Sequence, residues 1–325
     1  MLSSDALFSH FFEESTLSRL SEVSHWTRYS GREDSEILRQ QVSEADALLT
    51  TWHSPFLTSE ILGERPRVKL IAHCGGEVKS RVAEELFAYI TVTNAADPMA
   101  AGVAEMALAL MLTMVRRIPD YVAEMRSGVI RTNEEVGSGE TLRGRRVGIM
   151  GFGRIGKALA MLIEPFGVEL LISDPHCNEE VAAQYRARLV ELDQLIASCS
   201  VVVLAAGLTP ESKNLLDSKR LAAMKDSSYL INVARGGLID MEALLPELRS
   251  GRINAALDVT DPVEPLPPDH ELRQMANVLL TPHIAAGGIE MRREMGALAV
   301  EEVVHFAKGE PPVNRVTREM LRTMT

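Results

Sequence analysis

Three titratable side chains stand at the ends of apolar segments in the second half of the chain, in a combination that could carry out hydride and proton chemistry. They are Arg235 in NVARGGLID, Glu264 in ALDVTDPVEP and His283 in NVLLTPH. A planar guanidinium binds a carboxylate bidentately and can polarise a neighbouring carbonyl. An imidazole gives and accepts protons near neutral pH, and a carboxylate on its other ring nitrogen fixes its tautomer. The set is what reduction of a 2-keto acid requires.

Each of the three residues also has an ordinary structural interpretation when it is considered singly. A histidine at the end of a strand is more often hydrogen-bonded within the fold than catalytic, and a glutamate between prolines is usually solvated. Arg235 could pair with Asp240 or Glu264 and simply hold its loop. The catalytic hypothesis depends on their combination, because ligands of parallel sheets bind at the carboxyl ends of the strands.

A glycine-rich segment follows an apolar run and opens a helical pattern, which predicts a dinucleotide-binding turn. Its first glycine allows a tight turn, its second lets the backbone approach a pyrophosphate, and its third permits close packing of helix on strand. The segment consists of Gly151, Phe152, Gly153, Arg154, Ile155 and Gly156. Asp174 ends the next strand and would bind ribose hydroxyls while repelling a 2′-phosphate. The expected cofactor is therefore NAD, unless Asp174 only caps the following turn.

The elements that must position these residues alternate between short apolar runs and helical patterns, as in a parallel sheet covered by helices on both faces. Strands are predicted at 146–150, 168–173, 187–190, 200–206, 228–234, 253–259 and 277–282. Helices are predicted between them at 155–166, 191–198, 218–224 and 241–250. The sequence therefore predicts an α/β fold with a Rossmann-type doubly wound parallel sheet.

A weaker alternation precedes this unit and predicts a smaller α/β domain. Its strands are expected at 46–51, 68–73 and 91–93, without a clear opening strand at the N-terminus. Two long apolar helices are expected outside both sets of strands, at 99–118, ended by Pro119, and at 289–308, ended by Gly309 and two prolines. The second of these helices could return to the first domain.

Length, charge and cysteine content narrow the class of protein. A chain of 325 residues exceeds what one hydrophobic core usually supports, and a net charge of −11 disfavours nucleic acid as a partner. The longest apolar stretch, 103–115, contains Glu105 and is shorter than the roughly 20 residues of a membrane span, and no secretory signal is visible. The cysteines are few and have no metal-like spacing, which fits a reducing compartment. A cytoplasmic protein without metal is expected.

Several segments together resemble the D-isomer-specific 2-hydroxyacid dehydrogenase family, which includes phosphoglycerate, glycerate and glyoxylate-reducing enzymes. The matching segments are VAEMALALML at 103–112, GFGRIG at 151–156, LTPES at 208–212, INVARGGLID at 231–240, ALDV with the later EP, and LLTPHIA at 279–285. The resemblance implies that an NAD-binding domain, 99–289, is inserted into a smaller flavodoxin-like substrate domain made of 1–98 plus 290–325. It also implies a homodimer formed through the NAD-binding domains.

The same resemblance implies roles for individual positions. Arg235 would bind the substrate carboxylate, Glu264 would orient the histidine, and His283 would be the general acid/base. The backbone of Gly75 and Gly76 would also contact the substrate. Further cofactor contacts are implied for Thr209, Val233, Ala234, Asp258 and Ala285.

This chain departs from the family pattern mainly where the substrate is expected. The loop from His73 to Val78 reads HCGGEV where the family usually has a loop resembling GVGxD. Trp52 and His53 fall where a pocket wall is expected, and Thr260 occupies a position that is usually aromatic. The sequence therefore specifies the substrate less well than the chemistry.

A different class of protein is compatible with the same motifs. Transcriptional corepressors that resemble this family sense NAD and turn over little substrate, although this chain shows no peptide-binding extension. Among enzymes, formate dehydrogenases carry glutamine in the position of Glu264, which argues against that branch. Phosphite oxidation stays open.

Overall fold

The computed structural model describes residues 1–63, 65–129, 139–322 and 324, and the chain forms two compact units. One unit is contiguous and runs from Ala100 to Ala286. The other joins Met1–Met99 to Gly287–Thr325. We call them the contiguous unit and the split unit.

The strands and helices are numbered in chain order. The strands are β1 (Ala47–Thr50), β2 (Leu70–His73), β3 (Thr91–Asn94), β4 (Arg146–Met150), β5 (Glu169–Ser173), β6 (Arg188–Leu189), β7 (Val201–Leu204), β8 (Tyr229–Asn232), β9 (Asn254–Leu257), β10 (Val278–Leu280) and β11 (Arg315–Val316). The α-helices are α1 (Asp5–Phe11), α2 (Glu14–Ser21), α3 (Glu36–Glu44), α4 (Ser59–Leu62), α5 (Ala96–Val115), α6 (Ile118–Arg126), α7 (Arg154–Ile163), α8 (Glu179–Gln184), α9 (Leu192–Ser198), α10 (Ser218–Ala223), α11 (Met241–Arg249) and α12 (Ile289–Ala307). Short 3₁₀ helices lie at Glu84–Ala88, Glu164–Phe166, Gly236–Leu238, Glu271–Arg273 and Glu319–Arg322.

The contiguous unit is built on a parallel sheet in the order β10-β9-β8-β7-β4-β5-β6. Strands β7 and β8 are buried along their whole length, as their uninterrupted apolar sequences predict. The chain moves outward from β4 to β5 on one side and to β7 on the other. Such a reversal of strand order opens a crevice at the carboxyl ends of the strands, where open α/β sheets bind ligands. The predicted doubly wound parallel sheet is confirmed.

Helix α5 differs from its prediction at both ends. It ends at Val115, and Pro119 lies in the first turn of the next helix, α6, instead of ending α5. Proline is tolerated in a first turn because the amide hydrogen that it lacks has no partner there.

Helix α5 is longer than the apolar stretch noted in the sequence, and by length and composition it could cross a membrane. However, 44% of the most apolar 18 residues of this helix are buried inside the structure, and the core helix of a soluble protein can have the same length and composition.

The split unit contains a sheet in the order β1-β2-β3-β11. Strands β1 to β3 are parallel, whereas β11 pairs antiparallel with β3 and was not predicted. Glu302 of α12 is only 2% exposed and holds the segment that leads into β11, because its carboxylate accepts hydrogen bonds from the amides of Val313 and Asn314. The Asn314 carbonyl in turn accepts the amide of Asn94. The last part of the chain thereby completes the sheet that its first part begins.

Candidate active site

The glycine turn after β4 has the geometry of a pyrophosphate-binding turn. Gly151 adopts a φ of +90°, and a Cβ there would lie 2.5 Å from the backbone of Ala206. A Cβ at Gly156 would lie 2.4 Å from the Gly151 carbonyl oxygen, so α7 packs closely on the turn. At Gly153, by contrast, none of the described residues outside its chain neighbours and its own helix backbone places an atom within 4 Å of an added Cβ. The backbone of Gly153 is therefore open to an approaching anion, and α7 begins at the next residue, Arg154, so its N-terminus can bind that anion.

Asp174 follows β5 and already accepts two backbone hydrogen bonds. Its Oδ2 accepts the amide of Phe152 at 2.6 Å, and its Oδ1 accepts the amide of His176 at 2.7 Å. The second bond is the turn cap that was the alternative interpretation of this residue. The first joins the carboxylate to the glycine turn, so Asp174 has both a structural contact and the position expected of a ribose ligand.

The other predicted cofactor residues also follow strands of this sheet. Val233 and Ala234 are buried directly after β8. Thr209 donates its amide to Ser212 Oγ at 2.7 Å in the segment after β7. Ala285 lies after β10, where its amide donates to Asp258 Oδ2 at 2.9 Å.

His283 and Glu264 are brought into direct contact at the carboxyl edge of the sheet. His283 Nδ1 and Glu264 Oε1 form a short hydrogen bond, although the two residues come from loops after different strands. The side chain of His283 is half exposed, and its backbone adopts a φ of +54°. Because Nδ1 faces the carboxylate, Nε2 is the ring nitrogen left for a ligand.

Asp258, predicted as a cofactor contact, is instead engaged with the turn that carries His283. Its carboxylate is buried, and Oδ1 accepts hydrogen bonds from Thr281 Oγ1 at 2.6 Å and from the Ile284 amide at 3.0 Å. The Asp258 carbonyl accepts the amide of His283 at 2.8 Å. The residue therefore holds the backbone of the histidine turn, and its role toward the cofactor stays a prediction.

Arg235 follows β8 and is held by its own strand end. The side chain of Asn232, which is fully buried, donates to the Arg235 carbonyl at 2.9 Å and accepts the amide of Ala234 at 3.0 Å. The next residue, Gly236, lies so close to the loop of Glu264 that a Cβ there would be 2.2 Å from the carbonyl carbon of Thr260. The segments that carry Arg235 and Glu264 are thus in backbone contact.

The predicted substrate loop of the split unit follows β2. His73 is fully buried, and its Nδ1 is hydrogen-bonded to Thr50 Oγ1 at 2.9 Å. A Cβ at Gly75 would lie 2.4 Å from His73 Nε2 and 2.8 Å from Trp52 Nε1, so both rings pack against this glycine. Burial lowers the pKa of His73 to about 3, and the ring is therefore neutral at physiological pH.

Gly75 and Gly76 lie in the buried part of this loop. Neither amide donates to an acceptor in the described part of the chain, whereas their carbonyls accept from Ala95 and from Asn94. Unpaired backbone N–H groups of this kind bind anions. Cys74 lies in the same loop, but burial raises the pKa of its thiol, which makes it a poor nucleophile.

Sequence reasoning missed several residues that organise these sites. Asn232 and Thr281 fix the two strand ends that carry Arg235 and His283, and their only signal was a polar side chain at the end of an apolar strand. In the split unit, the Arg292 guanidinium lies 5.1 Å from the centre of the Trp52 ring. No sequence spacing relates these last two residues, because 240 positions separate them.

The doubly wound sheet and the geometry of its glycine turn define a dinucleotide-binding α/β protein. Residues 108–285 match the family model described as "D-isomer specific 2-hydroxyacid dehydrogenase, NAD binding domain". The glyoxylate reductase of Thermococcus onnurineus is 34% identical over 294 residues, which cover 88% of this chain and 87% of that protein.

Solved structures of similar proteins share the whole fold. The NADPH-dependent glyoxylate/hydroxypyruvate reductase of Sinorhizobium meliloti, in complex with citrate, has a TM-score of 0.78 and 26% identity, and the match covers 97% of each chain. The D-lactate dehydrogenase of Aquifex aeolicus, complexed with NAD and lactic acid, has a TM-score of 0.73 and 26% identity, covering 91% of this chain and 92% of that one. The chain therefore belongs to the D-isomer-specific 2-hydroxyacid dehydrogenase family. It is an NAD-dependent D-2-hydroxyacid dehydrogenase, so the predicted family, enzyme class and cofactor are confirmed.

Proposed function

We propose that the enzyme reduces small 2-keto acids, glyoxylate first among them, and that Arg235, Glu264 and His283 carry out the reaction. The contact between His283 Nδ1 and Glu264 Oε1 carries this proposal, because it leaves Nε2 as a proton carrier at the carboxyl edge of the nucleotide-binding sheet. Glyoxylate is the first candidate because it is the substrate named for the relative from Thermococcus onnurineus.

The chemistry divides among the residues as follows. When bound, NADH would supply the hydride for the reduction. His283 donates the proton from Nε2 to the keto oxygen, and Glu264 keeps the ring in the tautomer and orientation that this transfer needs. Arg235 binds the substrate carboxylate with its planar guanidinium. On the resemblance stated above, the amides of Gly75 and Gly76 would also contact the substrate.

The contiguous unit is the proposed NAD-binding domain, and the split unit is the proposed substrate domain. In the contiguous unit, Gly153 and the first turn of α7 would hold the pyrophosphate, and Asp174 would hold the adenosine ribose. Thr209, Val233, Ala234, Asp258 and Ala285 would line the rest of the cofactor site, on the resemblance stated above. The residues fit the cofactor because the open face of Gly153 is where a pyrophosphate requires close approach.

We also propose that two copies pair through the contiguous unit. Helix α6 exposes Ile118, Val122 and Met125, with Met125 68% exposed, at a spacing that places them on one face. Exposed apolar stripes of this kind mark protein interfaces. Met125→Glu should yield monomers by light scattering, whereas Met161→Glu, at a similarly exposed methionine of α7, should stay dimeric. If the two variants have the same mass in solution, α6 does not form the interface.

We also propose that the protein is cytoplasmic. The cysteines are free thiols, which agrees with this location.

The assignment is tested by NADH oxidation with a panel of 2-keto acids. His283→Gln should lower kcat by about 10²–10⁴-fold, the usual contribution of general acid catalysis, with little change in NADH affinity. The exposed His25 in the split unit provides the control variant His25→Gln, which should keep full activity. Unchanged turnover in His283→Gln would assign the proton to another group.

A companion variant tests the carboxylate anchor. Arg235→Lys keeps the charge but loses the bidentate geometry, so the KM for the keto acid should rise and kcat should fall at unchanged NADH affinity. If Arg235 only holds its loop, the variant should instead lose thermal stability and cofactor affinity while its KM for the keto acid stays the same. Measuring all three quantities on one sample separates these roles.

A further inference from the structure

Thr260 lies three residues after β9 and begins the loop that presents Glu264. Its hydroxyl donates to the carbonyl of Val263 at 2.7 Å, and its amide donates to Glu264 Oε2 at 3.3 Å. Both bonds connect the start of the loop to its end. They make a closed turn whose last residue is Glu264.

The closed turn fixes the direction of the Glu264 carboxylate. One oxygen, Oε2, accepts the amide of Thr260, and the other, Oε1, is bonded to His283 Nδ1. A carboxylate held at both oxygens has a defined plane, which an imidazole hydrogen bond requires. The base of this loop is packed, because Gly236 lies against the Thr260 backbone, but Val263 at its tip is 47% exposed. The two hydrogen bonds of Thr260 therefore add to this packing by restricting the conformational freedom of the Glu264 end of the loop.

The same strand end also holds the other member of the pair. Asp258, two residues before Thr260, binds the amides of Ile284 and Ala285 and accepts the His283 amide on its carbonyl. The carboxyl end of β9 thus fixes the backbone of the histidine and the side chain of the glutamate at once.

We propose that Thr260 is a positioning residue for the Glu264–His283 pair: its hydroxyl closes the loop and so aims the Glu264 carboxylate at the imidazole. This inference rests on the proposed function of that pair. The sequence suggested only that a threonine at a usually aromatic position alters the pocket. The structure gives it a different role, which an aromatic side chain without a hydroxyl on its β-carbon could not fill.

The test compares Thr260→Val, which removes the hydroxyl at nearly equal volume, with Thr260→Ser, which keeps it. For glyoxylate reduction, Thr260→Val should lower kcat by about 3–10-fold, the range of one hydrogen bond, with the KM of NADH unchanged. Thr260→Ser should restore most of the rate. In a Glu264→Gln background, Thr260→Val should add no further loss, because it acts through Glu264. Additive losses, or no rescue by serine, would overturn the proposal.

A readout that does not need turnover completes the experiment. The proton that His283 Nδ1 shares with Glu264 can be followed by NMR, with His283→Gln used to assign its signal. Asp258 is bonded to the backbone of the histidine turn and stays in place in these variants. Because a misaligned hydrogen bond is weaker, this proton should exchange with water faster in Thr260→Val than in the wild type, toward the rate in Glu264→Gln.

The two readouts separate this inference from the proposed function. An exchange rate in Thr260→Val equal to that of the wild type would refute the positioning role even if the enzyme is active. Faster exchange in a protein that reduces no 2-keto acid would support the positioning role and refute the proposed reaction. A fall in melting temperature alone, with kcat and the exchange rate unchanged, would make Thr260 a purely structural residue.

Discussion

His73 should make the split unit lose stability in mild acid. The ring is fully buried, and burial lowers its pKa to about 3, whereas an unfolded histidine titrates near 6.5. Between these values the unfolded chain binds a proton that the folded chain does not bind. The contribution of the neutral ring to the free energy of unfolding is therefore full above pH 6.5 and falls as the pH drops toward 3. At 1.36 kcal/mol per unit, the loss between pH 7.5 and pH 5 is about 2 kcal/mol. Because pH 5 lies well above the folded-state pKa, the loss depends almost entirely on the unfolded-state value.

The assay is urea unfolding followed by tryptophan fluorescence at the two pH values. Trp26 and Trp52 are the only tryptophans of the chain and both belong to the split unit, so the signal reports that unit. His73→Gln cannot titrate and should lose about 2 kcal/mol less than the wild type over the same interval. The control His25→Gln should behave as the wild type. Burial also lowers the pKa of the Met1 amino group, to about 6, but this group acts in every variant and cancels in the difference. Equal pH dependence in His73→Gln and the wild type would refute a buried neutral imidazole.

Three further outcomes are expected. Gly153→Ala should keep the melting temperature and raise the Kd for NADH, because the new Cβ enters the open space where the pyrophosphate is expected. Gly156→Ala should lower the melting temperature, because the new Cβ would lie 2.4 Å from a backbone oxygen. Thermal unfolding and NADH titration check both variants, and the opposite pattern would contradict the geometry of the turn. The kcat/KM with NADH should exceed the kcat/KM with NADPH in the wild type, because the Asp174 carboxylate repels a 2′-phosphate. In Asp174→Ser the ratio of these two kcat/KM values should be smaller. An unchanged ratio would mean that Asp174 makes only its structural contacts. Gly236→Ala should lower kcat by at least tenfold and leave NADH affinity nearly intact. The new Cβ would lie 2.2 Å from the Thr260 backbone and force the loops of Arg235 and Glu264 apart. Full activity would mean that this contact is dispensable.

The elements of the contiguous unit were largely predictable because its strands are continuous apolar runs. Strand β7 was expected at 200–206 and lies at Val201–Leu204, and the segments after such strands correctly indicated where His283 and Glu264 meet. What was missed depends on contacts between distant segments. The two-residue strand β11 has no pattern of its own and forms because Glu302 and β3 bind its surroundings.

For the side chains, too, roles that follow from residue type were predictable, whereas roles that depend on distant contacts were not. The residue types at 235, 264 and 283 suggested chemistry, because few combinations bind a carboxylate and move a proton. The sequence predicted a cofactor contact for Asp258 but not its hydrogen bonds to the turn of His283. A buried carboxylate can accept hydrogen bonds from a ligand or from the protein's own amides equally well. Only the positions of its partners distinguish the two.

The split of one unit around the other sets an order in which the chain can acquire its structure during synthesis. The contiguous unit is complete once Ala286 has been made, and nothing later in the chain belongs to it. The sheet of the split unit lacks β11 until Val316 is made, and until then β3 has an unpaired edge that could pair with another chain. Residues made after the contiguous unit therefore protect an edge made before it. A chain that ends between Ala286 and Val316 has a finished sheet in the contiguous unit and an unprotected edge in the split unit.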